Sequence, residues 1–298
     1  MDGILPLWKP KGFTSHDCVS KARGMLKTKK IGHTGTLDPE VEGVLPLCVG
    51  KATKIVPFLT DTDKVYEARV TLGYATDTED ATGHTISMEP VKHACSQEDI
   101  QKVISEFKGE IVQTPPMYSA VKVNGKKLYE YAREGIEVER PSRKVLIKGI
   151  EITSIQEDVQ DDTYSFSIRV ICSKGTYIRT LCVDIGKALG YPAHMSELVR
   201  TRTADISGEE CFTFSAVQEV VDEGHPEKVL LPLSRGLIHM ESWKVDEQIQ
   251  IMIKHGRVLE KPEELQAEVF TVMYDEDVLA IYQQHPTKQG LIKPVRVF

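Results

Sequence analysis

Residues 32–43 read Gly-His-Thr-Gly-Thr-Leu-Asp-Pro-Glu-Val-Glu-Gly, and they place one carboxylate, Asp38, inside a loop rich in glycine and proline. Glycine lets the backbone bend and approach a ligand closely, and Pro39 biases Asp38 toward an extended conformation. The stretch therefore predicts a positioned carboxylate, which is a candidate catalytic group. An Asp-Pro step near glycine is also ordinary turn chemistry, so a purely structural turn is the alternative.

The segment before this loop is strongly basic. Residues 9–30 contain seven lysines or arginines against one acid, Asp17, in a chain whose net charge is −7. Positive charge concentrated on an acidic protein indicates a surface that faces phosphate groups, with Lys29 and Lys30 as candidate contacts. A solvated helix face over residues 17–26 is the alternative.

Length and composition exclude several classes of protein. A chain of 298 residues, 41% hydrophobic, predicts one large and one small folded domain. No apolar run approaches the roughly 18 residues of a membrane span, and the first residues lack a secretory signal, so we expect a cytoplasmic protein. The six cysteines form no Cys-x-x-Cys pair and the nine histidines no His-Glu-x-x-His arrangement, so we expect no metal.

Hydrophobic periodicity predicts alternating strands and helices without a strict βα repeat. The pattern predicts strands at residues 64–73, 145–155 and 163–172, and helices at residues 96–107 and 178–189. This order favours an α+β fold with a central mixed, largely antiparallel sheet flanked by helices. Beyond residue 240, short apolar runs at 249–253, 268–273 and 278–282 predict a small β-rich module.

A second candidate site lies far along the chain. Tyr177 and Arg179 follow a predicted strand and open a predicted helix, which places them at the mouth of the sheet, where they could face Asp38. A guanidinium beside a carboxylate favours its ionised form, although an ordinary structural ion pair fits as well. Tyr66 is similarly either a core tyrosine or a platform on which a base stacks.

Other catalytic motifs fit poorly. The segment from Gly43 to Thr53 lacks the spacing of a phosphate-binding P-loop, and Ser15, His33 and Asp38 form a possible triad without a nucleophile elbow. A glycosidase that uses Asp38 would need a second positioned carboxylate. Asp77, Glu79 and Asp80 are available, but their Thr-rich loop is more typical of turn chemistry.

The collinear motifs together resemble the TruB family of bacterial tRNA pseudouridine-55 synthases, from the N-terminus to about residue 203. The motifs are Lys9-Pro10-x-Gly12-x-Thr14-Ser15, Gly32–Pro39, Gly43–Pro46, Gly50-x-Ala52-Thr53-Lys54, Lys64-x-Tyr66, Leu72-Gly73, Thr76–Thr78, Asp80-x-x-Gly83, Pro115-Pro116-x-Tyr118-Ser119-Ala120 and Lys174–Arg179. The resemblance implies a pseudouridine synthase fold. It also implies that a uridine in the T loop of tRNA is flipped into a pocket and isomerised to pseudouridine without a cofactor.

The resemblance also implies roles for individual residues. Asp38 would attack C1′ of the ribose or remove the C2′ proton, and the sequence leaves both routes open. The other residues of the pocket would be Tyr66 stacked on the uracil, Tyr177 near the ribose, Arg179 paired with Asp38, His33 in the space left by the base, Leu198 on an apolar side, and Lys9 and Pro10 supporting the loop.

RNA phosphates would be contacted by Lys29, Lys30, Lys126 and Lys127, the last two in a basic insertion at about residues 122–148. The expected domains are a catalytic domain, residues 1–240, and a small RNA-binding domain, residues 241–298. The latter resembles the pseudouridine synthase and archaeosine transglycosylase domain; a structural cap is the alternative. The expected partner is the T arm and elbow of tRNA, bound by a monomer. An RNA-binding or RNA-folding protein without chemistry is the competing hypothesis.

Overall fold

The computed structural model describes all 298 residues. The chain folds into two compact units, a first unit made of Met1–Thr62 and Arg202–Phe298 and a second unit made of Asp63–Thr201. None of its helices is both long and apolar enough to cross a membrane. No group of three or more His, Cys, Asp or Glu side chains is arranged to hold a metal ion.

The first unit begins with strands around one helix. Its elements are β1 (Gly3–Lys9), α1 (Ser15–Met25), β2 (Ile31–His33), β3 (Glu42–Val49), a 3-10 helix at Gly50–Ile55 and α2 (Val56–Thr60). β1 and β2 both pair antiparallel with β3. Leu5, Leu7, Leu45 and Leu47 pack with Val19 of α1 in a buried core. The residues between β2 and β3 form the segment that carries Asp38, which we call the Asp38 loop (residues 34–41).

Helix α1 begins two residues before the predicted start because of its cap. The Thr14 hydroxyl accepts a hydrogen bond from the Asp17 N–H, and the Asp17 carboxylate accepts one from the Thr14 N–H. This reciprocal capping box satisfies donors that the first helical turn leaves free. It also fixes the position of Ser15, the first helical residue.

The second unit is built on one sheet. Its elements are β4 (Lys64–Leu72), β5 (Tyr74–Thr76), β6 (Thr85–Met88), α3 (Gln97–Glu106), β7 (Gly109–Gln113), β8 (Lys122–Val123), β9 (Lys126–Lys127), α4 (Leu128–Arg133), β10 (Arg143–Ile155), β11 (Tyr164–Cys172), α5 (Ile178–Ala188) and β12 (Ala193–Thr203). The sheet order is β12-β4-β11-β10-β7. The pairs β4–β11, β11–β10 and β10–β7 are antiparallel.

The predicted elements of this unit are confirmed to within about two residues at each end. Ser96 caps α3 by accepting the Asp99 N–H, as its sequence pattern predicted. Helix α5 packs on β4, and α3 packs on β10 and on α5. The chain leaves α5 through Gly190, whose φ of 86° lies in the left-handed region that glycine tolerates.

The rest of the first unit follows β12. Its elements are β13 (Ile206–Ser207), α6 (Phe214–Asp222), β14 (Ser242–Lys244), α7 (Glu247–Lys254), β15 (Leu259–Glu260), β16 (Val269–Tyr274), β17 (Asp277–Gln284) and β18 (Leu291–Val297), with 3-10 turns at Gly208–Glu210, Pro226–Val229 and Leu233–Gly236. A second sheet has the order β14-β16-β17-β18-β15. Only its β14–β16 pair is parallel. The expected β-rich C-terminal segment is therefore present, with its own buried cluster around Phe270, Val272 and Tyr282.

One expected part of that segment is wrong. The spacing of the apolar runs predicts that 249–253 belongs to a β-rich module, whereas the structure places this run in helix α7. Asp246 caps this helix by accepting the Ile249 N–H at 2.8 Å. Ile249 and Ile253, four residues apart, pack on the core, whereas Ile251 is 56% exposed. The isoleucines at every second position imitate a strand, but the cap and the four-residue spacing determine a helix.

Candidate active site

The Asp38 loop is fixed on its N-terminal side by Ser15. The hydroxyl of this buried serine accepts the Leu37 N–H at 2.9 Å and lies 3.3 Å from the Leu37 carbonyl, to which it donates. A single side chain thus satisfies both backbone groups of the residue directly before Asp38. Because buried peptide groups need partners, this pair of hydrogen bonds holds the loop against the start of α1.

Lys9 fixes the other side of the loop. Its side chain, at the end of β1, is fully buried, and its ammonium donates to the carbonyls of Pro10 (3.0 Å), Pro39 (3.0 Å) and Val41 (2.5 Å). A buried ammonium is tolerated only when its protons are used in hydrogen bonds, and carbonyl oxygens are suitable acceptors. Lys9 therefore braces the backbone on the C-terminal side of Asp38.

Backbone hydrogen bonds complete the loop. The Gly12 N–H donates to the Pro39 carbonyl at 2.9 Å, and the Val41 N–H donates to the Asp38 carbonyl at 3.1 Å. Asp38 itself is half-buried, between buried Leu37 and exposed Pro39. Asp38 therefore has a restricted backbone and some access to solvent. A carboxylate in this position is suited to act on a bound substrate as a nucleophile or a base.

His33 and the basic segment lie in the same unit as this loop. His33 ends β2, is half-buried, and its Nδ1 accepts the Gly35 N–H at 3.4 Å. Lys29 and Lys30 are exposed in the turn between α1 and β2. Lys21 is engaged differently, because its ammonium lies 4.3 Å from the ring centroid of Phe214.

Arg179 lies in the first turn of α5 in the second unit and is only 6% exposed. Its guanidinium donates to the carbonyls of Thr78 (3.0 Å) and Tyr118 (2.9 Å) and lies 3.7 Å from the Asp80 carboxylate. These contacts hold Arg179 in one orientation. The Thr-rich loop that we interpreted as turn chemistry is thus also the support of this arginine.

The acidic residues of that loop have structural partners. Asp80 accepts hydrogen bonds from the Thr78 hydroxyl and from the N–H and hydroxyl of Thr82, and Asp77 accepts the His84 N–H. Glu79 accepts the Thr180 hydroxyl at 2.7 Å. Each carboxylate is used inside the loop or by α5, which disfavours the glycosidase hypothesis.

Burial raises the pKa of the Glu79 carboxyl, although the Thr180 hydroxyl and the Arg179 guanidinium oppose the shift. Glu79 also has a φ of 65°, in the left-handed region that non-glycine residues rarely adopt. In the same unit, burial lowers the pKa of His194, whose Nδ1 lies 3.1 Å from the Tyr74 carbonyl. Burial thus shifts the pKa of each group in the direction that favours its neutral form.

Tyr177 is held by two residues that the sequence analysis missed. Its N–H donates to Oε1 of buried Gln113 at 3.0 Å, and Nε2 of Gln113 donates back to the Tyr177 carbonyl at 3.2 Å. The Arg143 guanidinium lies 4.6 Å from the centroid of the Tyr177 ring. No local sequence signal identifies these supports, because Gln113 precedes Tyr177 by 64 residues.

Tyr66 and Leu198 belong to neighbouring strands of the second unit, β4 and β12. Tyr66 is half-buried, and Leu198 is 9% exposed. The partial exposure of Tyr66 separates it from Ala68 and Val70 on the same strand, both of which are buried. A ring that is not fully covered remains able to stack on a ligand.

Lys126 and Lys127 lie in a small hairpin, β8 and β9, closed by Asn124 and Gly125 with φ of 51° and 84°. The ammonium of Lys126 lies 4.9 Å from the ring centroid of Tyr131, and it also forms an ion pair with Glu134. Lys127 lies 5.3 Å from the ring centroid of Tyr129. Residues 143–148 of the expected insertion belong instead to β10 of the sheet.

Family models cover most of the chain. Residues 23–178 match the model of the TruB family pseudouridylate synthase N-terminal domain, and residues 179–238 match the model of the tRNA pseudouridylate synthase B C-terminal domain. The chain belongs to the TruB family.

Two bacterial members of the TruB family illustrate the relationship. The chain is 56% identical over 300 residues to tRNA pseudouridine synthase B of Oceanobacillus iheyensis, covering 100% of this chain and 98% of the relative. It is 51% identical over 304 residues to tRNA pseudouridine synthase B of Bacillus subtilis, covering 100% and 97%.

Two solved structures contain chains with a similar fold. A Cbf5-Nop10-Gar1 complex contains a chain that is 27% identical with a TM-score of 0.76, covering 99% of this chain and 84% of that chain. An H/ACA RNP bound to a substrate RNA contains one that is 25% identical with a TM-score of 0.75 and the same coverage. The family resemblance inferred from the motifs is confirmed, and so are the α+β pseudouridine synthase fold and the assignment to an enzyme family.

Proposed function

We propose that this chain is a tRNA pseudouridine synthase that isomerises the T-loop uridine at position 55, with Asp38 as its catalytic carboxylate. The observation that carries the proposal is half-buried Asp38, in a loop whose backbone is held by Ser15 on one side and by Lys9 on the other, in a chain of the TruB family. The relatives named tRNA pseudouridine synthase B, which align over the whole chain, support tRNA as the substrate.

The reaction is an isomerisation and consumes no cofactor. The bond between N1 of uracil and C1′ of the ribose breaks, the base turns, and C5 bonds to C1′ while its proton leaves and N1 gains one. Asp38 begins this sequence either by attacking C1′ or by removing the C2′ proton to give a glycal. Both routes need an ionised carboxylate at a defined place, and a rigid loop lowers the cost of reaching that geometry.

The substrate base must leave the folded RNA before it can react. Flipping a base costs on the order of a few kcal/mol, and stacking on an aromatic ring contributes roughly 1–3 kcal/mol. From the family resemblance we assign that stacking to Tyr66. In the same way we propose that Tyr177 lies near the ribose and that Arg179 pairs with the Asp38 carboxylate. His33 would occupy the space that the flipped base leaves in the RNA, and Leu198 would form an apolar wall of the pocket.

Phosphate binding is assigned to lysines on two elements. Lys29 and Lys30 are exposed in the basic segment, and Lys126 and Lys127 lie on the β8–β9 hairpin. When lysines neutralise phosphates, counterions of the RNA are released, so the affinity for tRNA should fall as the salt concentration rises. We propose that the partner is the T arm and elbow of tRNA, bound by a cytoplasmic monomer that also assists tRNA folding, and that the small C-terminal domain, residues 241–298, adds RNA contacts.

The test is pseudouridine formation on an unmodified tRNA transcript, mapped by carbodiimide modification and primer extension. Wild type should give product at the T-loop uridine, whereas Asp38→Asn should give none while it keeps its affinity for tRNA. Glu40→Gln is the matched control, because Glu40 is an exposed carboxylate in the same loop, and this variant should keep wild-type activity.

Two results would contradict the proposal. Product formation by Asp38→Asn at the wild-type rate would remove Asp38 as the catalyst. No product from wild type, with tRNA still bound, would favour an RNA-folding protein over an enzyme.

A further inference from the structure

Residues of the neighbouring strands β7 and β10 contact both the backbone and the ring of Tyr177. The side-chain amide of Gln113 accepts the Tyr177 N–H and donates to the Tyr177 carbonyl, as the backbone of a paired strand residue would. Gln113 is 1% exposed. A buried primary amide must be hydrogen-bonded, so the Tyr177 backbone fixes the orientation of the Gln113 side chain. The same two hydrogen bonds fix the start of α5.

Arg143 contacts the ring of Tyr177. It is paired with Gln113 in the antiparallel register of β7 and β10, so the two side chains originate at adjacent points of the sheet. Its guanidinium lies 4.6 Å from the Tyr177 ring centroid, within the distance of a cation–π contact. A Cβ added at Gly175 would lie 3.4 Å from the Arg143 Cζ, so the guanidinium also packs on the turn before Tyr177.

No carboxylate accounts for the position of Arg143. The adjacent Lys144 is paired with Glu110 at 2.8 Å, but Arg143 forms no ion pair, and its Nε is buried without a hydrogen-bond partner. Burying a donor without an acceptor is unfavourable, so another contact must stabilise this conformation. The ring of Tyr177 is the partner that the structure provides.

The turn between β11 and α5 is fixed to the same strand. The N–H of Ser173 donates to the Leu146 carbonyl, and the Leu146 N–H donates to the Ser173 hydroxyl, both at 2.9 Å. The Thr176 hydroxyl donates to the Ser173 carbonyl at 2.9 Å. Strand β10 therefore holds the turn at both ends, at Ser173 by hydrogen bonds and at Tyr177 by Arg143.

We propose that Gln113 and Arg143 are positioning residues for Tyr177, Gln113 acting on its backbone and Arg143 on its ring. The proposal rests on the proposed function, in which Tyr177 lies near the ribose of the target uridine. Neither residue needs to touch the RNA. Their task is to hold the phenol ring at one place and angle, which lowers the cost of ordering the pocket when substrate binds.

The test is a double-mutant cycle between Arg143→Met and Tyr177→Leu, read as the single-turnover rate of pseudouridine formation at saturating enzyme. Arg143→Met should slow the reaction about 3- to 30-fold, the range expected for the loss of one cation–π contact, with tRNA affinity changed less than twofold. The same substitution should have little further effect once Tyr177→Leu has removed the ring. Arg143→Lys, which keeps a cation, should recover part of the rate.

The controls separate this role from others. Lys144→Met removes a positive charge from the next position of the same strand, where the side chain is 71% exposed, and should leave the rate unchanged. Gln113→Met should lower the rate, and the change should be smaller when Tyr177 is already Leu. If the Tyr177→Leu background forms no measurable product, the cycle is read in urea unfolding, where the same non-additivity is expected.

Three outcomes overturn the inference. Additive effects of Arg143→Met and Tyr177→Leu would show that Arg143 does not act through the ring. Loss of tRNA affinity with a flatter salt dependence in Arg143→Met would make Arg143 a phosphate contact instead. A wild-type protein that forms no pseudouridine would remove the proposed function together with this inference, whereas the first two outcomes leave the proposed function intact.

Discussion

Replacing Lys9 with Met tests whether the Asp38 loop depends on its buried brace. Methionine has a similar length and no charge, so Lys9→Met removes the ammonium while it fills most of the same space. The carbonyls of Pro10, Pro39 and Val41 then lose a donor that lies 3.0, 3.0 and 2.5 Å away in the native protein. Two of these three carbonyls belong to the loop itself.

The size of the effect follows from these contacts. A hydrogen bond to a charged group contributes roughly 1.5–3 kcal/mol, and a buried carbonyl left without a donor costs about 1–3 kcal/mol. Replacing a buried charge by an apolar side chain recovers part of this, because the ammonium no longer has to be desolvated. We expect a net loss of about 3 kcal/mol of unfolding free energy, or a fall in Tm of about 6–12 °C.

The rate of the reaction should fall even where the Lys9→Met variant is still fully folded. A displacement of catalytic groups by about 1 Å can cost about 100-fold in rate, and Lys9 contacts the loop on the C-terminal side of Asp38. We therefore expect single-turnover pseudouridine formation to slow by about 100-fold at a temperature where the variant is fully folded. Thermal unfolding followed by circular dichroism gives the Tm of the same samples.

Lys11→Met is the matched control, because Lys11 is an exposed lysine two positions further along the chain. It should change neither Tm nor rate. If Lys9→Met keeps its Tm within 2 °C (about 1 kcal/mol or less) and its rate within about twofold, the loop does not depend on the buried ammonium.

Three further changes test other contacts. Ser15→Ala removes both hydrogen bonds to Leu37, so urea unfolding should report a loss of about 1–3 kcal/mol and activity should fall, whereas exposed Ser20→Ala should change neither. Because burial raises the folded pKa of Glu79 above its ordinary value of 4.5, its contribution to stability is fully present below pH 4.5 and is lost as the pH rises through the folded pKa. Glu79→Gln should therefore gain stability relative to wild type over that rise in pH, and parallel pH profiles of the two proteins would contradict the role of burial. Changing Lys29 and Lys30 together to Glu should weaken tRNA binding and flatten its salt dependence; unchanged affinity at several salt concentrations would exclude them as phosphate contacts.

The regular elements of the second unit could be predicted because each carries a local signal. The alternation in residues 64–73 and the Ser96 cap depend on neighbours in the sequence, and both predictions were confirmed. Helix α7 was missed because alternating isoleucines imitate a strand over a few residues. Short apolar runs do not distinguish strand from helix unless the cap is recognised.

The residues that could be named for the site were those within recognisable motifs. Asp38 stands out because glycine and proline surround it, and Arg179 because a run of family-like residues precedes it. Gln113 and Arg143 carry no such signal, since a glutamine or an arginine at the end of a strand is common and its partner lies far along the chain. Their contribution is visible only once β7, β10 and the start of α5 are side by side.

Residue type and spacing along the chain were enough to identify the family, the strands and helices that carry a clear local pattern, and the candidate catalytic carboxylate. The groups that hold the backbone on both sides of Asp38 could be identified only in the folded chain. Lys9 holds the Asp38 loop through carbonyls that lie 30 and 32 residues away in the sequence. Ser15 holds it through a residue 22 positions further on. The physical reason is that a buried polar group must find its partners in space, and folding alone brings those partners within hydrogen-bonding distance.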